Sequence, residues 1–315
     1  MRKAFISALE DLAGQDKRIV LLTGDLGFAA LEGFRDKFPK RYFNVGVAEQ
    51  NAVGMATGLA EAGFIPFIYS ISTFASLRAY EFLRNGPLVH KLPVRVLGIG
   101  GGFEYGVNGI THYGLEDIAL MRIQPGMTVV APADQKQARA ALWATWNLSG
   151  PVYYRLAKDV KPEIPGLKGR FKLGRAETIH SGSDALIITM GNITSDAVLA
   201  VDQLKKQGIT CSISVVSNLT SATTSDLIRR LSRFRLIFTL EAHYTTGALA
   251  SVVSEAVAQN NLNCRVIPCG IKDAFDGVVG SKDFLHTKNG ISANALVARI
   301  TASHRKWGSK RHGKS

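Results

Sequence analysis

The chain has 315 residues, 46% hydrophobic and 20% charged, a composition that excludes a disordered, collagenous or coiled-coil protein. Its 38 Lys and Arg outnumber 25 Asp and Glu, and the formal charge of +13 fits either nucleic acid or anionic metabolites as partners. The length predicts two domains, each with its own core, and three cysteines without a CxxC pair exclude a disulfide framework and point to a reducing compartment.

Glu10 and Asp11 interrupt the N-terminal stretch, so it does not read as a signal peptide. No apolar run is long enough to span a membrane, and the expected location is the cytoplasm. In chain order, a helical period (Phe5, Ala8, Leu9, Leu12) precedes an apolar strand at 19–22. A strand at 42–45 leads to a helix over 49–62, a strand at 64–69 and a helix over 74–88. Strands at 94–99 and 128–131, a helix over 135–146 and a strand at 152–155 follow. Continuous apolar strands separated by helices predict a mostly parallel sheet covered on both faces.

Residues 159–183, with Pro162, Pro165 and several glycines, read as a segment crossing between domains. The alternation then resumes: strands at 185–189, 210–216, 236–240 and 265–268, with helices over 195–207, 225–232, 247–259 and 293–303. The expected fold is α/β with two domains, 1–158 and 184–303, each a mostly parallel sheet with helices on both faces. Residues 304–315 carry Arg305, Lys306, Lys310, Arg311 and Lys314 and no acid, which predicts a solvated basic tail. No basic helix with interleaved aromatics occurs, so nucleic acid is not an expected partner, nor is a membrane.

Neither half contains GxGxxG or a P-loop. The glycines at 98 and 100–102 follow a strand and form a weak phosphate cradle or, more simply, a loop at a strand's carboxyl end, where ligand crevices open. Glu49 stands among small and apolar residues, ahead of a helix carrying Ala52, Gly54, Ala56, Gly58 and Ala60. It reads either as a partly desolvated carboxyl of raised proton affinity or as an acid complementing the helix dipole. Phe74 alone reads as a core ring at a strand–helix junction. His112 alone reads as a structural histidine, although its place after a glycine-rich loop suits proton transfer.

Residues 43–63, FNVGVAEQNAVGMATGLAEAG, resemble the signature of the pyrimidine-binding domain of thiamine-diphosphate enzymes, nearest to the transketolase family. Further matches keep the family order. They are Gly24-Asp25-Leu26, Ser70-Ile71-Ser72-Thr73-Phe74, Arg78-Ala79-Tyr80 and Gly109-Ile110-Thr111-His112-Tyr113-Gly114. Leu120-Met121-Arg122, Pro125-Gly126-Met127 and Glu241-Ala242-His243 with Gly247 complete the set.

The resemblance implies that Glu49 and His112 are catalytic. It assigns thiamine-diphosphate contacts to Glu49, Phe74, Tyr80, Asp25 and Leu26, and substrate contacts to His112, Asn108, Lys158, Arg155 and Arg2. Glu49 would hydrogen-bond the aminopyrimidine and so promote removal of the thiazolium proton. His112 would contact a substrate oxygen. The implied reaction moves a two-carbon ketol unit from a ketose, or its phosphate, to an aldehyde. The alternative is a subunit like 1-deoxyxylulose-5-phosphate synthase or the E1β subunit of 2-oxo acid dehydrogenases.

The family's G-D-G…N segment for the diphosphate is not found here. The resemblance therefore implies a separate N-terminal transketolase subunit that carries that domain and most of the Mg²⁺ contacts, in an α2β2 assembly, with no metal ligand in this chain. Four positions depart from the family. Asn108 replaces an Asp, Gly100–Gly102 replace a stretch with a phosphate-binding His, Lys158 replaces an Arg, and Leu77 replaces an aromatic. Arg2, at the terminus, is expected to be mobile. Glu104 and Tyr105 are candidate substrate-loop residues.

Overall fold

The computed structural model describes residues 1–158, 162–272 and 277–307. Residues 159–161 of the expected crossing segment and 308–315 of the expected tail lie outside the described residues.

Six parallel strands form the first sheet: β1 (Ile19–Thr23), β2 (Tyr42–Asn44), β3 (Ile65–Ile71), β4 (Arg95–Ile99), β5 (Thr128–Val130) and β6 (Val152–Leu156). They lie in the order β5-β6-β4-β3-β1-β2. Successive side chains alternate between the faces. Ile19 and Leu21 pack with Phe5, Leu9 and Leu12 of the helix Arg2–Gln15 and with Leu142 of the helix Gln135–Thr145. Val20 and Leu22 pack oppositely, with Ala52, Val53 and Ala56 of the helix Glu49–Glu61. Burial on both faces explains the apolar run of β1.

A second sheet contains β7 (Ala176–His180), β8 (Ala185–Thr189) and β9 (Cys211–Val216). After β10 (Asn218–Leu219) it is completed by β11 (Leu236–Tyr244) and β12 (Arg265–Ile271), in the order β12-β11-β8-β9-β7. Only β7 runs antiparallel in it. The architecture is the expected pair of mostly parallel sheets with helices on both faces.

Four details differ from the sequence reading. β7 lies inside the segment expected to be a crossing; it is a half-exposed edge strand, so it lacks the apolar run that marks its neighbours. The short β10 pairs antiparallel with β5, so the second half contributes an edge to the first sheet. The two halves do not keep separate cores, since one cluster joins Val20, Ile68 and Val96 to Leu186, Ile188, Ile237 and Leu249. The helix Ala293–Trp307 takes in the start of the expected tail, and the Arg265 guanidinium lies 4.4 Å over the Trp307 ring.

The expected helix over 74–88 is wound unevenly. A π-turn at Phe74–Arg78, an α-turn at Tyr80–Leu83 and a second π-turn at Arg84–Leu88 follow one another. Pro87 lacks the N–H that a regular last turn would use.

Candidate active site

The carboxyl ends of β1, β3, β4 and β6 lead into the segments that carry the predicted residues, as in other open parallel sheets. Glu49 opens the helix Glu49–Glu61 and is 1% exposed. Its setting is not the apolar one that its sequence neighbours predict. Ser70 Oγ on β3 donates to Oε1 at 2.9 Å, and Arg78 Nη1 donates to Oε2 at 2.5 Å. Gly24 follows β1 and runs past the carboxylate. A Cβ there would stand 3.4 Å from Glu49 Oε1 and 3.1 Å from the Gly46 carbonyl oxygen, so a side chain at residue 24 would fill that flank.

From Glu49 a line of contacts runs across the sheet edge. The Arg78 guanidinium lies 4.5 Å over the Phe74 ring. Phe74 meets the His112 ring edge-on at 5.2 Å. His112 Nδ1 is 2.9 Å from Thr111 Oγ1, and its ring is 6.0 Å from Tyr105. Lys158 Nζ stands 4.7 Å from the Tyr105 ring centre. A buried carboxylate, an aromatic face, an imidazole and a cation thus come from four separate segments. Of the predicted residues, this line gathers Glu49, Phe74, His112 and Lys158, with Tyr105.

Asp25 and Leu26 lie beside it through Gly24. Asp25 adopts φ 56° and is pinned by Asn44, which donates from Nδ2 to Oδ1 and accepts the Asp25 N–H, each at 3.0 Å. The Leu26 carbonyl accepts from Thr23 Oγ1 at 3.0 Å. Asn108 is exposed in the turn Gly106–Asn108 and lines a cavity with Thr111, Tyr113, Val279 and Leu285, between the two halves.

Three of the predicted contact residues already have partners within the chain. Arg155 is engaged by protein groups. It is 6% exposed, donates from Nε to Asp117 Oδ2 at 2.9 Å, and donates from Nη2 to the carbonyls of Gly114 and Ala242 at 2.7 and 2.9 Å. Tyr153 Oη donates to the same Asp117 oxygen at 2.7 Å, and burial raises its pKa well above the usual phenol value. The Tyr80 hydroxyl donates to the Leu120 carbonyl at 3.0 Å and accepts from Gln124, so it ties its turn to the helix Asp117–Arg122. Arg2 is anchored, not mobile: it begins a helix, donates its N–H to the Ala157 carbonyl at 3.2 Å and reaches Tyr69 Oη at 3.4 Å.

The glycine run is a packing device. A Cβ on Gly101 would stand 2.2 Å from Arg155 Nε, and one on Gly100 would stand 2.2 Å from the Tyr105 ring. These positions are glycine because Arg155 and Tyr105 cross there.

The Glu241-Ala242-His243 stretch lies in the seam between the halves. The Glu241 carboxylate accepts the N–H groups of Leu249 and Ala250 at 2.8 Å each, at the start of the helix Leu249–Gln259. Burial nonetheless pushes its pKa up to about 7. His243 Nε2 accepts the Ala119 N–H at 3.4 Å, so Nδ1 is the protonated nitrogen and donates to the Tyr244 carbonyl at 2.8 Å. Burial pulls its pKa down to about 4.

Sequence reasoning missed Arg78, Ser70 and Asp117 as partners. The Phe74–Arg78 spacing of one helical turn was a usable signal for the first. Ser70 and Asp117 gave none, because their partners are remote in sequence.

Residues 1–162 match the family described as "Transketolase, pyrimidine binding domain", and residues 174–296 match "Transketolase, C-terminal domain". A putative transketolase C-terminal section of Methanocaldococcus jannaschii is 34% identical over 309 residues, covering 97% of this chain and 96% of that protein. A 6-deoxy-6-sulfo-D-fructose transketolase subunit of Clostridium sp. is 34% identical over 300 residues, covering 94% and 92%. A solved structure described as a split gene transketolase, inactive beta4 tetramer, superposes with a TM-score of 0.86 at 32% identity, covering 96% of this chain and 97% of that one. With both family domains in sequence order, the chain belongs to the transketolase family.

Proposed function

We propose that this chain is the C-terminal subunit of a split transketolase and moves a two-carbon ketol unit between sugar-like substrates. In this reading it works with a separate subunit that holds the diphosphate and Mg²⁺. The observation that carries the reading is the contact line from Glu49 through Phe74 and His112 to Lys158. Relatives described as a transketolase C-terminal section and a transketolase subunit, matched over 96 and 92% of their own length, support the subunit reading. Val47, Leu77 and Phe82, which are 74, 45 and 46% exposed, lie close in sequence to Glu49 and Arg78 and give a partner chain apolar surface to cover.

The residues fit the aminopyrimidine end of thiamine diphosphate. Glu49 offers a buried carboxylate, and Gly24 keeps its flank free of a side chain. Glu49 would hold the ring and share a proton with its nitrogen, while Phe74 would bound it. When bound, the cofactor supplies a nucleophilic carbon and an electron sink for carbon–carbon cleavage. His112 exchanges a proton or a hydrogen bond with a substrate oxygen. Lys158 attracts an anionic group as a point charge, without the two-pronged geometry of Arg.

Thiamine diphosphate and Mg²⁺ titrated into the chain mixed with a diphosphate-domain subunit test the reading. Binding by the mixture and not by this chain alone is expected; no binding by the mixture refutes it. In Glu49→Gln, cofactor proton exchange should fall about 100-fold or more. Unchanged exchange removes Glu49 from the activating role.

A further inference from the structure

The loop between β4 and the helix Asp117–Arg122 carries Tyr105 and His112, and several of its contacts reach into the other half of the chain. Glu104, only 8% exposed, accepts from Asn192 Nδ2 on Oε1 at 2.5 Å, with Lys282 Nζ 3.5 Å from the same oxygen. Its Oε2 accepts the Lys158 N–H at 2.9 Å. Asn192 lies in the turn Gly191–Ile193 beyond β8, and Lys282 opens the helix Lys282–Lys288. The same loop is held again nearby. The Tyr113 hydroxyl lies between the Gly106 and Val278 carbonyls, 3.0 and 3.2 Å away, and a Cβ on Gly106 would stand 2.4 Å from the Gly280 carbonyl oxygen.

We propose that Glu104 is a positioning residue through which the C-terminal half sets the substrate side of the site. Gripped by Asn192 and Lys282, its carboxylate fixes the Lys158 backbone and its own neighbour, Tyr105. Lys158 stands against the Tyr105 ring, and Tyr105 in turn against His112. A buried carboxylate with directed donors holds its neighbours far more tightly than a solvated loop could. The C-terminal half thereby acts on the substrate side through Glu104. This rests on the reading of His112 and Lys158 given above.

Among the described residues, the charged and titratable groups around Glu104 include Lys282, with Asp283 4.0 Å beyond it, Lys158, and His286 across the Phe103 ring. Asn192→Ala removes a donor. Asn192→Asp sets a second carboxylate against Glu104, which is repelled at alkaline pH and accepted once the pair shares a proton. In the complex with the diphosphate-domain subunit, Asn192→Ala should lower kcat/KM about tenfold at unchanged thiamine-diphosphate affinity. Asn192→Asp should lose as much at alkaline pH and recover on acidification, a rescue that a purely structural contact does not give.

In the isolated chain at fixed pH, the His112 ring proton resonance, which senses the Tyr105 ring, should shift in both variants. Folded variants with unchanged kcat/KM and an unchanged His112 resonance overturn the proposal. An Asn192→Asp loss that is equal at every pH does so as well. A wild-type complex without transferase activity refutes the functional reading, and the resonance comparison then still decides the positioning role.

Discussion

Arg78 donates to Glu49 at 2.5 Å at the start of the helix Glu49–Glu61, while the same guanidinium lies over the Phe74 ring. One cation therefore organises the carboxylate and the aromatic that the family resemblance assigns to the cofactor. The carboxylate is buried, whereas the Arg78 side chain is 35% exposed. The pair sits where the buried interior meets the surface.

Arg78→Met leaves Glu49 with Ser70 as its remaining donor. The cost should be about 1–2 kcal/mol, below the roughly 3–5 kcal/mol of a fully buried pair, because Arg78 is partly solvated. Adding Glu49→Gln should recover most of it. Urea unfolding of the four chains of this cycle provides the check, and strictly additive losses would contradict the coupling.

Arg155→Leu strands the Asp117 carboxylate, which is 1% exposed and keeps only Tyr153 as a donor. A loss of about 3–5 kcal/mol in unfolding free energy is expected. Arg155→Lys should recover little, since one ammonium cannot reach Asp117, Gly114 and Ala242 as the guanidinium does. A fully stable variant with a raised substrate KM would return Arg155 to the substrate-binding role that the sequence predicted.

Two buried groups in the seam respond to pH with opposite sign. His243 is pulled from 6.5 down to about 4, so only the unfolded chain takes up its proton as pH falls through that window, and stability drops with it. Glu241 is pushed from 4.5 up to about 7, so only the folded chain keeps its proton as pH rises through that window, and stability drops in that direction. His243→Gln removes the first slope. Its stability relative to wild type should rise by up to about 3 kcal/mol on going from pH 7 to pH 4. Urea midpoints across that range measure it, and a constant difference would count against the shift.

Lys158→Met should raise the KM for a phosphorylated substrate about tenfold and leave kcat within about twofold, because a mouth charge aids binding and transition state alike. A neutral sugar should show no such change. Equal effects on charged and neutral substrates would remove the anion-binding role.

Much of the fold was legible because β1, β3, β4, β6 and β8 are mostly apolar strands buried along their whole length. β7 and β10 were not, since an edge strand with one wet face and a two-residue pairing carry no such run. Local motifs singled out Glu49, Phe74 and His112, and the structure brings these three into one line of contacts. The Arg155–Asp117 pairing was not legible, because a basic residue at a strand's carboxyl end looks the same whether it faces a ligand or an acid.

The sequence by itself determined the two-sheet architecture, the family and the segments that bear the site, because periodicity and motif spacing are local properties of the chain. Tertiary structure decided which charges are already partnered. Arg78 is joined to Glu49, Arg155 to Asp117 and Glu104 to Asn192 across separations of 29, 38 and 88 residues. Burial and pairing arise only when remote segments meet, so the surplus of positive charge in the composition could not show which cations remain for a ligand.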